Sequence, residues 1–450
     1  MRHLAKTNVP LYIRNKRAAK VASRLHRSWR AAIRSQKELE TINAEFGVDS
    51  KIVSMMAHGT KRPSSKDALK GRVKFVAPEI FSLMDDAEGT LKAIKDLANQ
   101  LLLPKVRSVR IDMNKVKSYD LGANALLDIL VDETNTKAKR THRKIKWMGS
   151  YPADSDQRRL VRSLGVIKFL EVSHEYNPPH EAAKVEAFHE RCKHYIRAVR
   201  PNDTDRKSRV TQKFADHINN CLRRIHREMT HSARKKLCDY VGEILDNAEE
   251  HAQMYDWTIQ GYLDTSADEL ICELVILNFG KSVADSLMAL PDQGYTKTMI
   301  RPYLDAHKKK GLFSTGWDVG DLLTLIALQG GVSSKNFSVN DTRGNGTVDL
   351  ISFFQKVVSE CRSQHDGQGI AKMALVSGST SILFDGKYEM ASTAGSPGVI
   401  AFNIENDLLR LPDPSCIRHF AKLAFPGTIL SIKFPLSSES STLPLGDKKK

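Results

Sequence analysis

The sequence predicts an α/β protein in which two α/β units follow one another along the chain. The first observation is that strand and helix patterns alternate between residues 72 and 175. There, residues 106–113 alternate apolar and polar side chains, and residues 121–131 are apolar at helical spacing. The second is an amphipathic helix over 236–252, which an apolar strand over 269–278 follows. Such alternation is typical of the α/β class.

The composition allows a large core and excludes a membrane span. Of the 450 residues, 41% are hydrophobic and 27% are charged, and no apolar run approaches the roughly 18 residues that cross a bilayer. We therefore expect no membrane insertion. The six cysteines form no CxxC pair, which argues against a disulfide framework or a zinc ribbon. This pattern favours a reducing compartment, so we expect a cytoplasmic protein.

The net charge of +17 is concentrated at the N-terminal end. Residues 1–70 contain 16 Lys or Arg and 5 Asp or Glu, and residues 1–36 contain no acidic side chain. Apolar residues recur there at helical spacing, which predicts a basic helical arm. Such an arm suits a nucleic acid, an acidic partner or a membrane surface. A transit peptide and a solvated helix that packs on the next domain are the alternatives.

A turn follows the basic helix. Gly47-Val48 would end one helix, and Asp49-Ser50 would cap a second, an order that resembles the helix-turn-helix of bacterial repressors. Any capped helical hairpin would give the same pattern. DNA binding through residues 1–70 is therefore one hypothesis for this region.

Residues 71–175 resemble a STAS domain, the fold of anti-sigma-factor antagonists. The resemblance rests on the order of strand, Val116-Lys-Ser-Tyr-Asp120-Leu121-Gly122-Ala123, helix and strand, closed by residues 164–169. Regulatory members carry a phosphorylatable Ser or Thr after the aspartate, where this chain has Leu121 and Gly122. The resemblance thus implies a docking or scaffold domain without that switch. We interpret residues 176–209 as a linker helix and loop, and residues 437–450 as a disordered tail.

Two polar side chains stand one turn apart on the helix predicted over 236–252. Glu243 and Asn247 are four residues apart, so they project from the same side of that helix. A carboxylate can orient a water, and an amide oxygen can bind Mg²⁺. The alternative is the exposed polar face of an ordinary amphipathic helix.

Two glycine-containing segments follow. The strand over 269–278 ends in Asn278-Phe-Gly280-Lys-Ser282, which is not a P-loop because the first glycine of that motif would be Val275. Farther along, Arg343-Gly344-Asn-Gly346-Thr347 opens an apolar helix. Glycines at a helix N-terminus let backbone amides approach phosphate oxygens.

In this order the segments resemble the GHKL superfamily of ATP-binding domains over residues 210–436, which implies a two-layer α/β sandwich of the Bergerat type. Glu243-Ile-Leu-Asp-Asn247-Ala248 matches the N box, and Gly427-Thr428 stands at the late Gly-Thr. By this resemblance Glu243 polarises the attacking water and Asn247 ligates magnesium. The implied nucleotide-binding residues are Asn247, Asn278, Gly280, Arg343, Gly344, Gly346, Thr347 and Thr428. Residues 292–343 would form a mobile lid.

Two residues depart from the family pattern. Asn278 replaces the aspartate that reads adenine, and Ser282 replaces the second glycine of that motif. His226 and His231 lie too close to Asn247 for the separate hairpin of a histidine kinase.

The sequence therefore predicts a regulatory or defence ATPase, of bacterial type, that binds ATP and Mg²⁺ as a conformational switch. The alternatives are an anti-sigma-type serine/threonine kinase and a DNA-associated regulator that uses its basic arm. A protein partner or a homodimer is expected with each.

Overall fold

The computed structural model describes residues 50–58, 70–103, 105–165, 185–193, 205–252, 254, 256–266, 270–307, 317–332, 346–364, 371–391, 398–436 and 441–442. Over these ranges the chain is an α/β protein with helices and several sheets, which confirms the predicted class. Most of the basic arm lies outside the described residues. No helix among them is both long and apolar enough to cross a bilayer.

The first described helix is the second half of the helix-turn-helix pattern. Helix α1 (Lys51–Ala57) begins after Ser50, whose hydroxyl accepts the Val53 amide and donates to Glu133. The first half of that pattern lies outside the described residues. Residues of α1 are buried in the core, where the helix packs on α2 (Ala87–Leu101).

Three parallel strands form the first sheet, in the order β1–β3–β5. They are β1 (Arg72–Val76), β3 (Ser108–Asp112) and β5 (Lys146–Ser150), and a separate parallel pair joins β2 (Ile80–Phe81) to β4 (Ser118–Tyr119). The remaining helices of this unit are α3 (Leu121–Arg140) and α4 (Ser155–Leu164). Burial alternates along β1, so one face of this sheet is covered and the other is exposed.

Asp120 fixes the start of α3. One carboxylate oxygen accepts the Ala123 amide at 2.7 Å, and the other accepts the Ser82 hydroxyl at 2.8 Å and the Met84 amide at 3.0 Å. The aspartate is therefore an N-cap that also ties the helix to the segment after β2. Burial raises the pKa of Asp120.

Seven antiparallel strands form the second sheet, in the order β12–β11–β10–β13–β9–β8–β6. They are β6 (Val185–Cys192), β8 (Asp256–Asp264), β9 (Ile271–Phe279), β10 (Lys372–Gly378), β11 (Thr380–Phe384), β12 (Ile417–His419) and β13 (Phe425–Pro435). The helices that follow β6 are α5 (Arg206–Arg223), α6 (His231–Ala252), α7 (Val283–Met288), α8 (Tyr295–His307), α9 (Val319–Ile326) and α10 (Gly346–Gln364).

Two predicted irregular segments contain strands. Part of the expected linker over 176–209 is β6, an edge strand of the seven-stranded sheet, and α5 begins before residue 209. Part of the expected tail over 437–450 is β14 (Ser441–Thr442), which pairs with β7 (Glu228–Met229). Arg227 holds β14 in place, because its guanidinium donates to the hydroxyl and the carbonyl of Ser441. Both interpretations were wrong for these residues.

Helix α3 lies between the two sheets. It contacts β8, β9 and β13, and 14 of its 20 residues are buried. All nine residues of β8 are buried as well, because α3 covers one face of that strand and α5 and α6 contact the other. The two predicted units therefore share one hydrophobic core through α3.

Candidate functional site

Four side chains form a row across one end of the seven-stranded sheet. Trp257 of β8 pairs with Asn278 of β9, Asn278 pairs with Thr428 of β13, and Thr428 pairs with Ser377 of β10. Directly paired residues of neighbouring strands project from the same face of a sheet. Trp257 belongs to the core cluster that includes buried residues of α5, α6 and α10, so the row faces that helical layer.

Hydrogen bonds connect the row to the start of α7. The hydroxyls of Ser377 and Thr428 are 2.8 Å apart, and the Val283 amide donates to Ser377 Oγ at 2.9 Å. Ser282 caps α7 in a reciprocal capping box with Asp285. The serine that departs from the family glycine therefore stabilises the turn that follows β9.

Asn278 differs from the other members of the row, because its side-chain amide has no hydrogen-bond partner among the described residues. Its side chain is 6% exposed, yet no other described residue forms a hydrogen bond with its amide group. An amide group offers both a hydrogen-bond donor and a hydrogen-bond acceptor. The position thus favours a ligand with both a donor and an acceptor edge.

Two glycines allow the strands to approach each other beside Asn278. Gly427 has a φ of 144°, and a Cβ on it would stand 2.0 Å from the carbonyl oxygen of Asn278. Gly280 has a φ of 132°, and its amide donates to the Pro426 carbonyl at 3.1 Å. Only glycine fits this close backbone contact and tolerates these φ angles.

Glu243 and Asn247 lie outside the buried stripe of α6. That stripe consists of Val241, Leu245 and Ala248, while Glu243 is exposed and Asn247 is half-buried. The two side chains share one side of the helix, as their spacing predicts. The structure therefore leaves both groups accessible.

Two contacts hold α6 in place. The Trp257 indole donates to Glu249 Oε1 at 2.8 Å, which ties α6 to the polar row. Tyr240 packs on Phe353 of α10 with ring centroids 4.8 Å apart.

Gly346 and Thr347 form the first turn of α10, whose backbone amides have no partner within the helix. Arg343 and Gly344 lie outside the described residues.

The region predicted as a mobile lid contains two packed helices. Helix α9 buries Leu322, Leu323 and Ile326 in a small apolar cluster with Leu287 of α7. Helix α8 contributes Ile300 to the same cluster. The predicted lid spans residues 292–343, of which 308–316 and 333–343 lie outside the described residues.

The opposite face of β9 binds α3. Glu273 Oε1 accepts the Leu121 amide at 2.7 Å, and Oε2 accepts the Tyr262 hydroxyl at 2.6 Å. Burial raises the pKa of Glu273 to about 7. One strand therefore carries Asn278 toward the helical layer and Glu273 toward α3.

A second polar contact joins α3 to β8. The Asn124 amide donates to Gln260 Oε1 at 3.0 Å, and the Gln260 amide donates to Asp128 at 3.0 Å. A third contact joins α3 to β6, because Arg191 forms ion pairs with Asp132 and Glu133. All three contacts connect the first unit with the seven-stranded sheet.

Sequence reasoning named Asn278, Gly280 and Thr428 as candidates, and it did not name Trp257 or Ser377. Pairing across four strands depends on their register, which no local pattern in the sequence gives. The serine and glycine run that ends β10 was the only local signal for Ser377.

No known protein family, curated protein or solved structure matches this chain.

Proposed function

We propose that the protein is a GHKL-type ATPase that binds Mg-ATP and works as an ATP-gated conformational switch. The observation that carries the proposal is the polar row at the end of β9 and β13, where Asn278 and Thr428 stand side by side next to Gly280 and Gly427. The N-box helix, the Asn278 segment and the Gly-Thr segment follow one another in the order that the superfamily has.

The residues present fit an adenine base. The Asn278 amide is buried and available, and a neutral amide can both accept from the adenine amino group and donate to a ring nitrogen. The Thr428 hydroxyl would support the same edge of the base. The glycines beside them hold β9 and β13 close together at this point.

The residues on the helices fit the phosphates and the metal. The amide oxygen of Asn247 would ligate Mg²⁺, and the exposed carboxylate of Glu243 would accept a proton from the attacking water. The first turn of α10, with Gly346 and Thr347, has backbone amides without a partner inside the helix, and these would bind phosphate oxygens. Arg343 and Gly344 precede this turn and would complete the phosphate site.

The switch would act through β9. Because Asn278 and Glu273 lie on one strand, a shift of β9 on nucleotide binding would alter the contact between Glu273 and the first turn of α3. We assign the STAS-like unit that contains α3 the role of docking a protein partner. Among the described residues, one face of its sheet is exposed and would take part in such a contact.

The test combines hydrogen exchange with radiolabelled ATP on the full-length chain. We expect Mg-ATP to change the exchange of amides 121–124, and phosphate to be released without a labelled protein. Unchanged exchange in an ATP-saturated protein would contradict the switch. Transfer of label to a protein would favour the serine/threonine kinase alternative.

A further inference from the structure

Three potential metal ligands converge where α9 meets β12. Asp318 and Asp321 stand at the start of α9, and His419 ends β12. One ligand atom from each of the three lies within 4.8 Å of the other two. His419 Nδ1 is 3.1 Å from Asp321 Oδ2 and 3.9 Å from Asp318 Oδ1.

Asp321 is the unusual member of this cluster. Its side chain is 1% exposed, and its Oδ2 atom has no hydrogen-bond partner among the described residues. The 3.1 Å contact with His419 lacks hydrogen-bond geometry for this oxygen, and the histidine bonds at 3.3 Å to Oδ1 instead. A buried carboxylate oxygen without a partner is costly unless a positive charge compensates it.

An ion pair with His419 accounts for only part of this arrangement. One N–H from Nδ1 satisfies Oδ1, but it leaves Oδ2 unpaired and does not explain the proximity of Asp318. Ligand atoms around a tetrahedral zinc ion at about 2.0–2.1 Å are separated by roughly 3.3 Å. The two distances measured from His419 Nδ1 lie on either side of that value.

Hydrogen bonds from neighbouring residues also orient the two carboxylates. The Thr380 hydroxyl donates to Asp321 Oδ1 at 2.7 Å, and the Gly320 amide donates to Asp318 Oδ1 at 2.8 Å. Such outer contacts fix carboxylates in ligating positions in metal sites. Each of these carboxylates has a second oxygen that can serve the metal.

We propose that Asp318, Asp321 and His419 bind a divalent transition cation of the Zn²⁺ class, with water completing its coordination. One imidazole and two carboxylates suit Zn²⁺ and its neighbours better than Ca²⁺ or Mg²⁺, which prefer oxygen ligands. The cation would fasten α9, which precedes the glycine-rich segment 343–347, to the edge of the sheet. This site uses none of the residues that we assign to Mg-ATP.

The experiment is calorimetric titration of metal-free, untagged full-length protein with ZnCl₂ in the absence of nucleotide. Co²⁺ in place of Zn²⁺ reports a histidine-containing site by visible absorption. The variants are Asp318→Asn, Asp321→Asn and His419→Gln. Asp318→Asn is the sharpest of them, because asparagine caps a helix as well as aspartate does and the fold should be retained. His231→Gln, at an exposed histidine that begins α6, is the matched control.

We expect one Zn²⁺ site in the wild type and in His231→Gln, and at least tenfold weaker binding in Asp318→Asn and His419→Gln. Zinc should also raise the unfolding temperature of the wild type more than that of Asp318→Asn. Circular dichroism spectra that match the wild type would show that the variants are folded. The proposal is wrong if the wild type binds neither Zn²⁺ nor Co²⁺, or if Asp318→Asn and His419→Gln bind them as the control does.

Discussion

Glu273 of β9 accepts the backbone amide of Leu121 at 2.7 Å, so a strand of one sheet holds the first turn of a helix from the other unit. The contact is buried, and the Tyr262 hydroxyl completes it at the second carboxylate oxygen. Glu273 and Asn278 lie five positions apart on β9, with Glu273 facing α3 and Asn278 facing the helical layer. The contact is therefore the most direct physical route between the proposed nucleotide site and the first unit.

The pH dependence of stability should report this contact. Burial raises the pKa of Glu273 from 4.5 to about 7, because Lys433, Tyr262 and the Leu121 amide compensate the charge only in part and Asp120 opposes it. The folded state thus holds the proton more tightly than the unfolded state. This contribution to stability is fully present below pH 4.5, and it is lost as the pH rises through 7. Its size is a few kcal/mol, at about 1.4 kcal/mol per pKa unit.

Glu273→Gln removes that titration and keeps the shape of the side chain. We expect the free energy of unfolding of the variant, relative to the wild type, to increase between pH 5 and pH 8 in urea titrations. Exposed Glu79→Gln is the control, since the hydrogen bond from Lys117 lowers the pKa of that carboxyl instead of raising it. A difference between Glu273→Gln and the wild type that stays constant with pH would contradict the assignment.

Arg191 should be essential for stability. Its side chain is 6% exposed and forms ion pairs with Asp132, Glu133 and Asp256, so Arg191→Ala removes a buried positive charge that compensates these carboxylates. We expect a loss of about 3–5 kcal/mol in the free energy of unfolding. Lys117→Ala breaks the exposed pair with Glu79 and should have a much smaller effect on stability, because solvent screens such pairs. Equal losses of unfolding free energy in the two variants would contradict the expectation that the buried Arg191 network contributes more than the exposed pair.

Gly427→Ala tests the backbone contact beside Asn278. A methyl group there meets the Asn278 carbonyl oxygen at 2.0 Å, so the end of β13 must move away from β9. We expect lower stability and weaker binding of Mg-ATP. Gly242→Ala is the matched control, because nothing lies within 4 Å of its added methyl group and alanine favours the helix by about 0.5–1 kcal/mol. If Gly427→Ala binds Mg-ATP as tightly as the wild type does, this backbone contact is not part of the nucleotide site.

The sequence predicted the parts of the fold that local patterns determine. The helix over 236–252 and the strand over 269–278 correspond to α6 and β9, and residues 121–131, apolar at helical spacing, lie in α3. The error at β6 has a physical cause. Its charged residues resemble a solvated segment, but Arg191 is buried and forms ion pairs with acidic groups of α3 and β8 that are distant in sequence.

Local patterns in the sequence indicated some residues of the candidate site, but not how the strands bring them together. Gly427 and Thr428 gave a local signal, whereas the row from Trp257 to Ser377 depends on the register of four strands. The cluster of Asp318, Asp321 and His419 brings together residues about 100 positions apart, so no spacing in the sequence indicates it.

The most direct test of the central claim is Mg-ATP binding and hydrolysis by the wild type, Glu243→Ala, Asn247→Ala and Asp239→Ala. Asp239 is an exposed carboxylate one turn before Glu243 and serves as the control. We predict that Glu243→Ala binds ATP but loses turnover by about 10²–10⁴-fold, as expected for a general base. Asn247→Ala should bind Mg-ATP more weakly, and Asp239→Ala should resemble the wild type. A wild type that does not bind Mg-ATP, or a Glu243→Ala variant that hydrolyses it as fast as Asp239→Ala does, would contradict the account.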